Sequence, residues 1–498
     1  MTLTGQSLVA GQWVGDSANG EFNAFSPARN EPLSTRFFNL SATELDGAIA
    51  AAQSAFYEYR KTSFAQRADF LTCIADHILA LGDALLDQTH QETNLPMMRL
   101  QGERMRTVNQ LKAFAAALRD NPESPLGLKV VDEADATRAP LPKPHTELNY
   151  LPLGPVAVFG ASNFPYAFST LGGDTAAALA AGCPVIVKNH TAHPGTGELM
   201  ARAALAAMKE CAMPLGVFAM VQSKSYDTSH QLVAASAIKA VGFTGSFNVA
   251  SKLQATIAKR DEPIPFYGEL GSINPQVILP NKAIDHSQEI AQSLCQSMLM
   301  GNGQFCTSPG LWLIPTGCDE LEAHITACIN DAPSDTLLTP GIVNTFKHQI
   351  AARSQLDKVS VLGEGKLGQA FHANAHVFAC NADDYLATPA LQEEVFGPAA
   401  LVVRYDSEQQ LMTLVNQLQG QLTASVHGTD GDLTKADSLI EALQYKVGRL
   451  IKNQMPTGVE VCGSMNHGGP FPSSTDVRST SVGTNAMLRF VRPICYQA

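Results

Sequence analysis

From residue 151 onward, short apolar runs alternate with stretches of small residues, and this rhythm most narrows the folds open to the chain. Val156-Ala157-Val158-Phe159 reads as a buried strand, followed by strands at 183–188, 215–221 and 238–244. The intervening stretch 170–187 is weakly polar but contains Asp174, several glycines and Pro184. It reads as a buried small-residue helix leading into the next strand, not as a membrane span. Strand, helix, strand in that order predicts parallel βαβ units with helices on both faces of a sheet. A second α/β segment follows Pro275 and runs to residue 460, with strands at 311–314 and 400–404; residues 470–498 again have strand-like content.

The N-terminal third is different. Short strands are expected around Leu8 to Val14 and Glu21 to Pro27. Residues 41–60 have a helical pattern, with Ser41 as N-cap and Glu44 three residues later. Helical periodicity continues through 64–90 and 96–120. Residues 121–150 carry Pro122, Pro125, Pro140, Pro142 and Pro144 and read as irregular chain leaving the domain body. At 498 residues the chain exceeds one hydrophobic core and should divide into domains.

Charge and cysteine content exclude several classes. The net charge is −12 and no Lys/Arg run interrupts it, which argues against a nucleic-acid partner. Met1 to Gln6 has no basic segment leading into an apolar run, so no secretory signal is expected. The 10 cysteines are scattered, with no CxxC and no Cys/His zinc spacing. This predicts reduced thiols in a cytoplasmic protein with no metal and no membrane contact.

Two short motifs carry the chemistry. Cys306 lies in Gly301-Asn302-Gly303-Gln304-Phe305-Cys306-Thr307, where glycines let a substrate approach the backbone. Glu269 lies in Tyr267-Gly268-Glu269-Leu270-Gly271-Ser272, and could act as a general base if burial raises its pKa. A thiol nucleophile and a base that activates water are the equipment of covalent carbonyl chemistry. Asn163, in Phe159-Gly160-Ala161-Ser162-Asn163-Phe164-Pro165, follows the first strand of the α/β region. Its amide could donate to an oxyanion where α/β ligand sites gather. Lys188, at the carboxyl end of the second strand, could reach a nucleotide ribose or phosphate.

In order and context these motifs resemble the aldehyde dehydrogenase superfamily. The resemblance implies Cys306 as nucleophile, Glu269 as the base for thioester hydrolysis and Asn163 in the oxyanion hole. It implies Lys188 at the adenosine ribose, Gly245 and Ser246 of Phe243-Thr244-Gly245-Ser246 at the pyrophosphate, Glu394 at the nicotinamide ribose and Phe396 beside the nicotinamide. NAD-preferring members often carry Glu three residues after the lysine. Thr191 stands there, and a threonine can donate to a 2′-phosphate that a glutamate would repel. With Lys188 and Lys224 this points to NADP, with NAD as the alternative. The family usually has Gly where Ala250 stands, and no GxGxxG follows the first strand of the region.

The implied fold is α/β, with two doubly wound parallel-sheet domains and a small β oligomerisation arm. Residues 1–130 and 151–275 would form a Rossmann-like cofactor domain, 276–465 the catalytic domain, and 131–150 with 470–498 an arm joining dimers or tetramers. Pro456 to Cys462, His467 to Pro472 and Arg492 to Gln497 resemble the branch of 2,5-dioxopentanoate (α-ketoglutarate semialdehyde) dehydrogenases. A bacterial NADP-dependent fatty aldehyde dehydrogenase is similar over the same blocks. A carboxylated substrate needs a cation, for which Arg99, Arg104 and Arg106 on one helix are candidates, whereas Met97 and Met98 would suit an acyl chain. A non-redox binding protein or a thiol esterase on the same fold is the alternative class.

Overall fold

A computed structural model describes residues 2–120 and 128–498; Pro122 and Pro125 lie outside the described residues. The four apolar runs of the α/β region form the strands Val156–Phe159, Val185–Lys188, Phe218–Val221 and Ala240–Thr244. With Phe266–Glu269 they make the parallel part of a seven-stranded sheet. Ser7–Val9 adds antiparallel to Phe218–Val221, and Gln12–Val14 closes that edge. The parallel strands are buried on both faces, as continuous apolar runs require.

A second seven-stranded sheet runs in the order Ser360–Glu364, His376–Asn381, Ala399–Tyr405, Leu311–Pro315, Gln276–Ile278, Gln421–His427 and Val447–Lys452. All of its pairings are parallel except that of the edge strand Ser360–Glu364. The fold is thus α/β with two wound sheets. Among the described residues no helix is long and apolar enough to cross a membrane.

The helical N-terminal part follows its capping signals. Ser41 and Glu44 form a reciprocal capping box on Ala42–Tyr59, and Ser63 does the same with Gln66 on Phe64–Ala80. The helix expected over 64–90 is broken, because Gly82 takes a left-handed φ of 58° between Phe64–Ala80 and Gly82–Thr93. The Pro-rich stretch is less irregular than its composition implies. Thr146–Pro152 is a strand, paired antiparallel with Val491–Gln497 and flanked by Val130–Asp132. Pro140, Pro142 and Pro144 precede this central strand, Pro152 ends it, and Pro493 sits on the edge strand Val491–Gln497, where a missing N–H is tolerated. Of residues 470–498 only Val491–Gln497 pairs in this sheet; residues 473–475 lie instead against the strand that ends at Glu269.

One buried carboxyl ties the helical part to the parallel sheet. Glu92 accepts hydrogen bonds from the Gly195 and Thr196 N–H groups at 2.7 and 2.9 Å, at the start of helix Pro194–Glu210. Burial nevertheless pushes its carboxyl up to about 7. The folded chain therefore holds this proton more tightly than the unfolded one. The stability linked to it is present at low pH and lost as the pH rises from about 4.5 through about 7. Glu92→Gln should reduce the fall in stability over that window, read as urea midpoints at a series of pH values. An unchanged slope would sink this account.

Candidate active site

Cys306 follows a turn that only this sequence pattern permits. Gly301, Asn302 and Gly303 have φ of 58°, 52° and 70°, all left-handed. A Cβ at Gly303 would lie 2.0 Å from the carbonyl oxygen of Gly397, so no larger residue fits. Asn274 Nδ2 donates to the carbonyls of Cys306 and Ser308 at 2.9 and 2.8 Å and fixes the far side of the loop. Buried Asn163 donates from Nδ2 to the Gln304 carbonyl at 2.9 Å, which leaves the second N–H of its amide for another acceptor. Its loop is held by buried Glu103, whose Oε1 accepts from the Tyr166 and Ala167 N–H groups at 2.8 and 3.0 Å.

Glu269 ends the strand Phe266–Glu269 and is buried. Its Oε2 accepts from Ser481 Oγ at 2.6 Å, and His467 Nε2 lies 2.8 Å from Oε1. That contact is close in charge terms but leaves Oε1 without an aligned donor. The same Nε2 is 3.5 Å from Cys306 Sγ. His467, itself buried, thus stands between thiol and carboxylate.

Neither His467 nor Ser481 was singled out from the sequence as a site residue. The His467 to Pro472 block stood out only as a mark of resemblance, and no local spacing links it to Cys306. The absence of zinc-type spacing says nothing about this assembly, because its three members come from distant parts of the chain.

The charges of the pair differ from expectation. Burial would raise the Glu269 carboxyl, as the base role was expected to require. The charge of nearby His467, with the hydrogen bond from Ser481, outweighs it and holds the carboxyl below its ordinary value. The Cys306 thiol is pushed well above its ordinary value, first by burial and then by the negative charges of Glu269 and Glu394; Arg106 opposes this.

Of the residues expected to meet a nucleotide, Lys188, Thr191, Lys224, Gly245 and Ser246 lie at the carboxyl ends of the first sheet. Lys188 and Val221 are paired in adjacent parallel strands, so Lys188, Thr191 and Lys224 cluster at one end. Burial lowers the Lys188 ammonium to about 8. Lys224 is exposed, and its backbone N–H donates to Asn39. Gly245 and Ser246 are exposed at the next strand end, where Ser246 caps helix Phe247–Ile257. Glu394 and half-buried Phe396 sit in the loop before Ala399–Tyr405. Burial pushes the Glu394 carboxyl up to about 7, eased only by the Ser272 N–H. An underpartnered carboxyl beside the thiol and a desolvated ammonium at a strand end both suit the hydroxyl and phosphate groups of a dinucleotide.

Arg99, Arg104 and Arg106 share helix Met97–Asp120 but not a face. Arg104 turns away and donates to the Gly82 carbonyl. Arg99 lies over the rings of Phe305 and Phe164, at 4.7 and 5.2 Å from their centroids, with Nε and one terminal nitrogen buried and unpartnered. Arg106 covers Phe168, donates to the Val459 carbonyl and acts electrostatically on Cys306. Arg449, on Val447–Lys452, is also half-buried and within electrostatic reach of the thiol. Met98, by contrast, is 83% exposed.

Comparison with known proteins identifies relatives of the whole chain. The sequence pattern of the "Aldehyde dehydrogenase family" matches residues 13–491. The alpha-ketoglutaric semialdehyde dehydrogenase 2 of Azospirillum brasilense is 43% identical, over 100% of this chain and 95% of that protein. The alpha-ketoglutaric semialdehyde dehydrogenase of Acinetobacter baylyi is 39% identical, over 99% and 93%. In fold, a betaine aldehyde dehydrogenase of Staphylococcus aureus solved with NAD+ superposes with a TM-score of 0.84 at 18% identity, covering 100% of this chain and 98% of that one.

The electrostatics around Sγ give a signed expectation. Glu269→Gln removes the negative charge that holds the thiol proton. At a fixed pH near 8 the thiolate fraction, and with it the rate of iodoacetamide labelling at Cys306, should rise several-fold. Slower labelling would mean that Glu269 accepts the thiol proton, and would reverse this reading.

Proposed function

As a member of the aldehyde dehydrogenase family, the chain is an NAD(P)-dependent enzyme that oxidises an aldehyde, and we propose that it acts through Cys306 on 2,5-dioxopentanoate (α-ketoglutaric semialdehyde), yielding 2-oxoglutarate with NADP as oxidant. The observation that carries the substrate is the set of half-buried guanidinium groups beside the thiol. Arg106 and Arg449 act on Cys306, and Arg99 has two buried nitrogens without partners. Buried cations of this kind are costly without an anion and suit a carboxylate on the substrate. They do not suit an aliphatic chain. The names of the two relatives from Azospirillum and Acinetobacter support the same substrate.

The steps follow from the positions of the side chains. The Cys306 thiol gives up its proton to solvent, and Sγ bonds to the aldehyde carbon. The free N–H of the Asn163 amide and the Cys306 backbone N–H receive the resulting oxyanion. A dinucleotide held by Lys188, Thr191, Gly245, Ser246, Glu394 and Phe396 would supply the hydride acceptor, which would leave the acyl group on the Cys306 sulfur as a thioester. Glu269, held by Ser481 and flanked by His467, orients water and accepts its proton; the C–S bond then breaks and releases the acid with the thiolate. Lys188, Thr191, Lys224, Gly245, Ser246, Glu394 and Phe396 are assigned to the dinucleotide. Thr191 and Lys188 favour a 2′-phosphate over a free hydroxyl.

The test is steady-state oxidation of 2,5-dioxopentanoate and of tetradecanal, each with NADP and with NAD. The dioxo acid should be preferred by kcat/KM, and Arg106→Met should raise its KM by about tenfold or more, with a smaller effect on an uncharged aldehyde. A preference for tetradecanal would overturn the substrate, and NAD outperforming NADP would overturn the role of Thr191.

We further propose that residues 131–150 and 491–498 form an arm that joins copies of the chain. Val130, Val131 and Tyr496 on its small sheet are 53%, 45% and 53% exposed, and such an edge invites a second chain. Light scattering should return a dimer or tetramer, and a monomer at micromolar concentration would remove this proposal.

A further inference from the structure

Cys306, His467 and Glu269 have a second property that does not depend on which aldehyde is oxidised. Sγ, Nε2 and a carboxylate oxygen all lie within 4.8 Å of one another. His467 and Glu269 are buried and Cys306 is half-buried. Thiolate, imidazole and carboxylate are the donor types of zinc sites, and three protein ligands with an open fourth position is a common catalytic zinc arrangement.

Two of the three spacings can be set against zinc geometry. Zinc bonds of about 2.3 Å to sulfur and about 2.05 Å to nitrogen or oxygen set tetrahedral edges of about 3.6 Å for S···N and about 3.3 Å for N···O. The observed S···N separation is 3.5 Å, and the N···O separation is 2.8 Å. A cation therefore needs no movement along the first edge and a small opening along the second. Oε1 of Glu269 is a buried oxygen without an aligned donor, a lone pair already desolvated. Entry of the dication releases the thiol proton and the proton on His467 Nε2, and the thiolate, carboxylate, neutral imidazole and dication then sum to zero charge.

We propose that Cys306, His467 and Glu269 form an inhibitory binding site for a divalent cation of the zinc class, which occupies the nucleophile and the base together. The bound thiolate has no free lone pair directed at an aldehyde, and the carboxylate cannot take a proton from water. The enzyme is then off, and a chelator restores it.

A second group of similar composition provides the control. Cys73 and His77 lie one turn apart on Phe64–Ala80, with Glu210 Oε2 2.9 Å from His77 Nε2 and the Cys211 thiol beside Cys73. These residues are half-buried or exposed and belong to no step above.

The experiment adds zinc chloride to the full-length enzyme and measures iodoacetamide labelling of Cys306 by peptide mass spectrometry, alongside zinc content after dialysis. Zinc should slow labelling of Cys306 by at least about tenfold, EDTA should reverse this, and His467→Asn should weaken protection by about tenfold or more. Cys73→Ser should leave the protection intact. Unchanged labelling of Cys306 at saturating zinc would overturn the site, as would protection that disappears with Cys73→Ser. The labelling reads binding directly, so it is independent of the substrate and cofactor preferences proposed above.

Discussion

The contact between buried Glu269 and His467 is the constraint around which the rest of the site is arranged. A carboxylate that loses water must find compensation, and here it comes from an imidazole and a serine hydroxyl far away in the chain. To deliver them, the segment around residues 467–481 must fold back across the end of the first sheet. It does so by pairing with the strand that carries Glu269: Leu270 N–H donates to Ser473 O, and Thr475 N–H to Gly268 O. The backbone of the C-terminal segment thus completes the strand end, and its side chains complete the acid. Burial first, and then the charge so stabilised, push the Cys306 thiol above its ordinary value.

The parts of the molecule that were legible in the sequence are those with local signals. The apolar runs at 156–159, 183–188 and 238–244 announced a parallel sheet because buried strands need no polar alternation. Ser41 with Glu44 announced a helix start because a capping box is complete within four residues. Cys306, Glu269 and Asn163 stood out because their glycine-bearing loops are unusual, and Asn163 and Glu269 do lie at the Cys306 loop. What was not legible depends on contacts between distant segments. Ser481 and Arg449 sit in stretches without any recognisable pattern of their own, and His467 stood out only within a block that marks the resemblance. The direction of the Glu269 shift was reversed for the same reason, since burial can be guessed from neighbouring glycines but the compensating imidazole cannot. The strand Thr146–Pro152 was hidden by the prolines at 140, 142 and 144, which lie just before it.

The arginines teach a related lesson about periodicity. Three positions on one helix offered three candidates, yet the helix presents only Arg99 and Arg106 toward the Cys306 side, while Arg104 goes to the Gly82 carbonyl. The third cation, Arg449, arrives from the opposite sheet. Charge around the thiol is therefore assembled from both halves of the molecule, as are its base and its oxyanion donor.

The close approach of Gly303 to Gly397 has a mechanical corollary. With no Cβ between them, the turn before the nucleophile and the loop that carries Glu394 and Phe396 are in direct backbone contact. Two loops so placed cannot shift independently, because a displacement of one either opens a void or drives the other. The loop bearing Glu394 and the loop bearing the thiol therefore behave as one lever, and a perturbation at one end is transmitted to the other without an intermediary side chain.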